Sequence, residues 1–314
     1  MQFFGKTNID FVSKRNTWVI FSVSIIAIGL IFAFIFPPKF GIDFTGGSEV
    51  AVAFSENINT NDIRSAISEA GIKNAEIKSF GEANQYLIRV SELGDVQVTI
   101  QNALEKIPNN KVTILKVDKI GAKIGGEMRL QAYLAVFLSI IAMLIYIGFR
   151  FEFVFGLGAI VALVHDVFFV ISIILIFNGL GIMDLEINQS IVAAILTVVG
   201  YSINDTVIIF DRVRENRVSH KGIHLMKLFN LSVNETLSRT INTVLTVVIT
   251  LVVLLTFGGP VLQGFSFTML VGILVGTYSS IFIASNFVIF YNEKIKKIDL
   301  ESGWAAEKAK AAKV

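Results

Sequence analysis

Six apolar runs decide what this chain can become. They cover residues 17–36, 130–149, 153–177, 187–210, 241–257 and 265–291. Each is long enough to carry a helix across ~30 Å of hydrocarbon. In lipid only a helix or a closed barrel satisfies its own backbone, so runs of this length read as six transmembrane helices. With 54% hydrophobic and 17% charged residues, the whole chain is too apolar for an ordinary soluble domain. The first run follows Lys14-Arg15 as a signal peptide's would, but it is longer than a signal h-region. It ends in Phe36-Pro37-Pro38 with no small-x-small site, so it is read as an uncleaved span. Residues 1–16, with Phe3, Phe4, Ile9, Phe11 and Val12 among polar neighbours, are expected to form a cytoplasmic interfacial helix.

Loop charge sets the expected orientation. The connections 178–186 and 258–264 contain no lysine or arginine. The opposite side carries Lys14, Arg15, Arg150, Arg212, Arg214, Arg217, Lys221, Lys227, Arg239, Lys294, Lys296 and Lys297. By the positive-inside rule both termini, a basic loop at 211–240 and a tail at 292–314 face the cytoplasm. The segment 37–129 is then extracytoplasmic. It reads as a strand at 49–54, a helix at 61–70 capped by Thr60 and stopped by Gly71, strands at 75–80 and 85–90, a helix at 95–107 and a strand at 111–117. That order, β-α-β-β-α-β, is the ferredoxin-like α+β unit. The tail after Asp299, rich in Ala, Lys and Glu, reads as a frayed helix.

Composition also excludes chemistry. No cysteine is present, so disulfides and thiolate sites are ruled out. Three histidines make a zinc site built on His improbable chemistry, and His220 with His224 lack a third ligand nearby. A net charge of +2 argues against nucleic acid as a partner. There is no His-Glu-x-x-His and no Gly-x-Ser-x-Gly, so the chain is not expected to be an enzyme.

Polar residues inside the spans are the candidates for function. Asp205 and Asn204 follow the apolar stretch 191–199, and an ionised carboxylate there costs ~3 kcal/mol or more. It is tolerated neutral, or paired in a polar cavity. Tyr201 shares the Asp205 face, and Gly200 and Thr197 share the Asn204 face; this small, polar surface is expected to look into the protein. His165-Asp166 lies near the middle of the third span, with ion-path and structural readings both open. Arg239 sits at the mouth of the fifth span, close enough by position to pair with Asp205. A proton would compete with that pair, which makes a two-state switch. Gly272-x3-Gly276-x3-Ser280 forms a small-residue ridge for helix contact.

Several stretches together resemble the SecF family. SecF is the smaller half of the SecD–SecF auxiliary complex of bacterial protein export, within the resistance-nodulation-division superfamily. The stretches are Phe40-Gly41-Ile42-Asp43-Phe44-Thr45-Gly46-Gly47, Arg150-Phe151-Glu152, His165-Asp166, Gly200 to Asp205, Asp211-Arg212-Val213-Arg214-Glu215-Asn216 and Asn234-Glu235-Thr236-Leu237-Ser238-Arg239-Thr240. The resemblance implies half of a pseudo-symmetric bundle in the bacterial inner membrane, completed by a SecD-like subunit. It implies use of a proton gradient, with no other cofactor, to help unfolded preproteins leave the SecYEG channel on the outer face. Asp205 and Arg239 match positions tied to proton conduction. An Asp-Asn-Ser-Thr lining would also suit sodium. Gly41, Asp43, Gly46 and Gly47 read either as a hinge-like base of the outer domain or as a plain connector. Where the family pattern has proline after Gly121, this chain has Ala122. Rival readings are half of a small-molecule exporter of the same superfamily, which normally carries two halves and very large outer domains, and a passive assembly scaffold.

Overall fold

The computed structural model describes residues 7–72, 75–79, 81, 83–91, 94–108 and 110–296. Phe3, Phe4, Phe80, Glu82, Lys297 and the tail after Asp299 lie outside the described residues.

Six long helices are apolar enough to cross a membrane. They are α1 (Arg15–Ile35), α5 (Ala122–Arg150), α6 (Phe153–Gly179), α7 (Gln189–Ser219), α8 (Leu225–Phe257) and α9 (Gly259–Ser279). The last continues through a π-helical turn (Ser280–Ala284), α10 (Ser285–Phe290) and a second π turn (Tyr291–Ile295). About half of the apolar stretch of α6 and of α7, and two-thirds of that of the last span, is buried within the chain; α1, α5 and α8 are nearly bare. The centre of the bundle is therefore α6, α7 and α9, and the outer helices offer apolar side chains such as Phe34, Phe137 and Phe149 to lipid or a partner.

Between α1 and α5 come the short α2 (Ile42–Thr45), β1 (Gly47–Phe54), α3 (Thr60–Glu69), β2 (Glu76–Ser79), β3 (Gln85–Val90), α4 (Val96–Leu104) and β4 (Val112–Ile120). The sheet runs β2-β3-β1-β4, antiparallel throughout, as the ferredoxin-like order requires. Alternation splits its residues between two faces. Val50, Val52, Ile88 and Val90 join Ile63, Ile67, Ile100 and Leu104 of the two helices in a closed core. Each fully buried isoleucine or leucine there contributes ~1.5–3 kcal/mol. Glu49, Arg89, Glu76 and Lys78 take the other face. The α3 cap is Asn59, whose side chain accepts from Asn61 N, and Thr60 is the first helical residue. Ala122 likewise opens α5 directly after Gly121, at a first-turn position where proline is also tolerated.

Two expectations are corrected. Residues 211–240 are not a loop: α7 runs on to Ser219, α8 begins at Leu225, and only 220–224 turn. Leu225, Leu228, Phe229, Ser232, Val233 and Thr236 recur at helical spacing and are buried, so a stretch that looks polar by composition packs as an amphipathic helix. Residues 7–14 are not an interfacial helix. Their backbone is held by α8 side chains: Ile9 N donates to Asn234 Oδ1 (2.8 Å), Phe11 N to Asn230 Oδ1 (2.9 Å), and Asn234 Nδ2 donates to Ile9 O (2.8 Å). Phe11 and Val12 pack into the bundle core.

Candidate functional site

A polar seam runs through the centre of the bundle, contributed by α6, α7 and α9. Asp166 and Asp205 are each 1% exposed. Asp166 is held on three sides. His165 Nδ1 lies 2.9 Å from its Oδ1, and Ser202 Oγ and Ser279 Oγ (2.9 Å) donate to its Oδ2. One turn along α7, Thr206 Oγ1 and Ser280 Oγ are 2.7 Å apart. Asp205 accepts from Thr277 Oγ1 at 3.1 Å. Two carboxylates thus lie buried among the same helices, each hydrogen-bonded to hydroxyls.

Small residues make the seam possible. A Cβ on Gly272 would stand 2.1 Å from Val198 Cγ2, and one on Gly276 2.8 Å from Ser202 Cβ. The ridge therefore brings the α9 backbone onto α7 beside the carboxylates. The π turn starts at Ser280, where Ser285 Oγ donates to Ser280 O (3.1 Å). Such wide turns recur at functional positions.

The expected Asp205–Arg239 ion pair is absent from this conformation. Arg239 is exposed and makes no ion pair within 4 Å among the described residues, although its charge acts on the Asp205 carboxylate from farther away. Tyr201 donates to Thr243 O at 3.3 Å instead of reaching Asp205. A further correction concerns the face of Thr197, Gly200 and Asn204. Thr197 and Asn204 are exposed, and a Cβ on Gly200 would meet nothing within 4 Å. This polar strip points out of the chain, because the apolar positions of α7 and Ser202, Asp205 and Thr206 take its inner side.

Asp211 and Arg212 tie the lower ends of the helices. Arg150 pairs with Asp211; Arg212 reaches Glu235 (2.7 Å) and Glu215 (2.6 Å); Arg217 reaches Glu152 (3.2 Å).

At the opposite end the glycine motif is seated on α7. Gly41 N donates to Ile187 O (3.0 Å), and Ile187 N to Lys39 O (2.8 Å). Asp43 Oδ2 accepts from Gln189 N (2.9 Å), the first residue of α7. Gly46, at φ 75°, crosses α5 so closely that a Cβ would lie 2.6 Å from Ala122 Cα. Beside this, Glu186, just before α7, meets the charged face of the sheet: it accepts from Lys78 and pairs with Arg89 (2.6 Å). Asp184 also pairs with Lys78 (2.7 Å), and Glu49 with Arg89 (2.6 Å). These partners hold the Glu186 carboxyl below its ordinary range despite burial, and hold Lys78 and Arg89 above theirs. The motif is seated on the start of α7 in this structure.

Ser202, Thr277 and Ser279 went unassigned at the sequence level. Thr277 and Ser279 offered only a hydroxyl in an otherwise apolar run; Ser202 also lay within the Gly200 to Asp205 stretch but was given no role of its own.

Fold and site together define a multi-pass membrane protein with a ferredoxin-like domain inserted after its first helix and carboxylates buried at its centre. Residues 99–294 match the family model for the C-terminal part of the protein export membrane proteins SecD/SecF, and residues 31–58 match the SecD/SecF GG motif. The chain belongs to the SecF family of protein translocase subunits. It is 40% identical over 306 residues to the SecF subunit of Thermodesulfovibrio yellowstonii, covering 95% of this chain and all of that one. It is 39% identical over 290 residues to that of Calditerrivibrio nitroreducens, covering 90% and 93%. The crystal structure of SecDF, a translocon-associated membrane protein from Thermus thermophilus, superposes with a TM-score of 0.82 at 32% identity, over 92% of this chain and 39% of that one. The chain thus corresponds to about two-fifths of a longer SecDF polypeptide, whose remainder points to a SecD partner. Its relatives are named for transport, not catalysis.

Proposed function

We propose that this subunit, assembled with a SecD-like partner beside the SecYEG channel, uses the proton motive force to draw unfolded preproteins out on the far side of the cytoplasmic membrane. Both termini face the cytoplasm, and the ferredoxin-like domain faces outward. The observation that carries the reading is Asp205, 1% exposed within a membrane helix and held by a single hydroxyl. A carboxylate so placed is costly in lipid unless neutral or paired, and an ionisable residue retained there marks an ion path by default. Protonation removes its charge and its attraction to Arg239; loss of the proton restores both. Each charge moved through the membrane potential is worth ~2.3 kcal/mol per 100 mV, enough to bias two conformations. Because the first residue of α7 carries the Asp43 contact, with Ile187 two positions ahead of it, a displacement begun at Asp205 reaches the outer domain along one helix.

The test is Asp205→Asn in inverted vesicles exporting a reporter preprotein. The variant is expected to insert and assemble, keep ATP-driven export and lose the gradient-dependent increment. An unchanged increment would overturn the reading. Arg239→Ala is expected to behave alike, with Arg239→Lys partly active as a point charge. Running the assay with a sodium gradient in place of the proton gradient identifies the coupling ion.

A further inference from the structure

A groove of about 680 Å³ runs between α1, α6 and the end of the last span. Its walls are Val19 and Val23 of α1, Val161 of α6, and Ile283, Phe287 and Phe290 of the last span. Val23, Val161 and Phe290 are exposed, so the groove opens sideways on the outside of the bundle. The polar atoms behind this lining, Ser22 Oγ and His165 Nε2, are buried, so an occupant meets mainly carbon. From Glu293 to Ile283 the groove follows ten residues of helix, roughly 15 Å. It closes further along α1, where a Cβ on Gly29 would stand 2.6 Å from Ser172 Cα of α6, leaving no space between these helices.

The mouth has a different chemistry. It is formed by Arg15, Asn16, Glu293 and Lys294. Glu293 is shared there, standing 3.7 Å from Arg15 and 3.4 Å from Lys294. Lys14 and Lys296, next to them in sequence, are exposed. Arg15 is held in place but left open. Its side chain is only 18% exposed, yet its polar partners among the described residues are Met226 Sδ at 3.4 Å and Glu293 at 3.7 Å. Sulfur is a weak acceptor, and 3.7 Å is too long for a hydrogen bond. Arg212 and Arg217, at the same end of the bundle, take carboxylates at 2.7 and 3.2 Å. A positioned guanidinium with free N–H donors fits a phosphate. Further in, Asn286 lines the groove and its carboxamide makes no hydrogen bond among the described residues.

We infer that this groove holds one anionic phospholipid, from the leaflet on the side of the two termini, with an acyl chain along the apolar wall and the phosphate on Arg15 and Lys294. Both flanking helices are spans, so acyl chains are what the open side of the groove meets. Lipid tails are as apolar as the lining, so seating a chain there gains little over bulk lipid and selection falls to the head group. At the mouth Lys14, Arg15, Lys294 and Lys296 outnumber the single carboxylate of Glu293, which favours a net negative head group over a zwitterion. Asn286 supplies a donor for an ester carbonyl of the same molecule. The inference goes beyond the proton-driven reading and does not depend on it.

The test uses the assembled SecD–SecF pair in vesicles of phosphatidylglycerol and phosphatidylcholine in equal parts. A trace of one lipid or the other carries a diazirine on its acyl chain, and adducts formed on illumination are mapped by peptide mass spectrometry. Residues 19–23 and 283–290 report the groove; Leu134, Phe137 and Leu138 on the bare face of α5 report bulk lipid. The phosphatidylglycerol probe is expected to label the groove roughly fivefold or more above the phosphatidylcholine probe, the worth of about one basic group near an anionic surface, with no such excess at α5. Arg15→Gln with Lys294→Gln is expected to lower the groove ratio to that of α5. Glu293→Gln, which releases both cations, is expected to raise it. Val161→Trp, which fills the groove, is expected to reduce groove labelling by both probes and leave α5 labelling as it was. Equal ratios at the groove and at α5 in the parent would mean non-selective boundary lipid only and would overturn the inference. A groove without adducts from either probe, or an excess untouched by the double substitution, would overturn it as well. Labelling needs no export, so none of these outcomes bears on the proton-driven reading.

Discussion

Replacing Glu186 by alanine tests whether the outer domain is latched to the membrane bundle. Glu186 is about one-tenth exposed and takes Lys78 and Arg89 at once. Charge-assisted hydrogen bonds contribute ~1.5–3 kcal/mol each, so two give about 3–6 kcal/mol. Both cations keep a second partner, Asp184 for Lys78 and Glu49 for Arg89, so about half of that is retained. A net loss of about 1.5–3 kcal/mol shifts the docked-to-undocked ratio roughly 10- to 150-fold. Spin labels on cysteines replacing Val98 and Leu180, both exposed, report the distance from α4 to the outer end of α6. The parent is expected to give one narrow distance distribution, and Glu186→Ala a broad one with a longer component. Asp184→Ala, at an exposed site worth ~0–1 kcal/mol, is expected to change little. Superimposable distributions for Glu186→Ala and the parent, or an equal effect at Asp184, would refute the reasoning.

Other outcomes follow from the same geometry. Because the docked Glu186 carboxyl sits below its ordinary value of 4.5, its contribution is full above that value and is lost only as pH falls through the depressed one; the parent distance distribution is therefore expected to be constant from alkaline through mildly acidic pH and to broaden only in strong acid. Gly272→Leu drives atoms into Val198 and is expected to cost ~1–3 kcal/mol or more, read as a lowered unfolding temperature in detergent, whereas Gly200→Ala, with open space around it, is expected to be neutral or stabilising by ~0.5–1 kcal/mol. Asp43→Ala removes one of two caps on α7 and is expected to cost ~1 kcal/mol, seen as faster amide exchange at Gln189, while Ile191 stays protected by Asn188.

The spans and the outer unit were legible because their signals are local: long apolar windows for the helices, alternation and turn residues for the strands. Asp205 was legible because a carboxylate in such a window has few explanations. What escaped depends on contacts between distant segments. Ser22, Ser202 and Ser279 are unremarkable serines until three helices meet. Glu186 and Arg89 are 97 positions apart, and nothing in either neighbourhood names the other. The stretch after Asp211 was read as a loop because its charges mask apolar positions spaced for a helix. Asn204 was assigned inward because small polar faces usually are; among the described residues it is exposed.

One consequence concerns the shape of α7. Its 31 residues form an unbroken strut of ~46 Å, anchored at the top by Asp43 and at the bottom by Asp211 and Arg212, with Asp205 near mid-length. With no proline between Gln189 and Ser219, α7 is one continuous helical rod. Any tilt or roll set off there is delivered to both sides of the bilayer in the same instant, so an event on the inner surface and one beneath the outer sheet share a single clock.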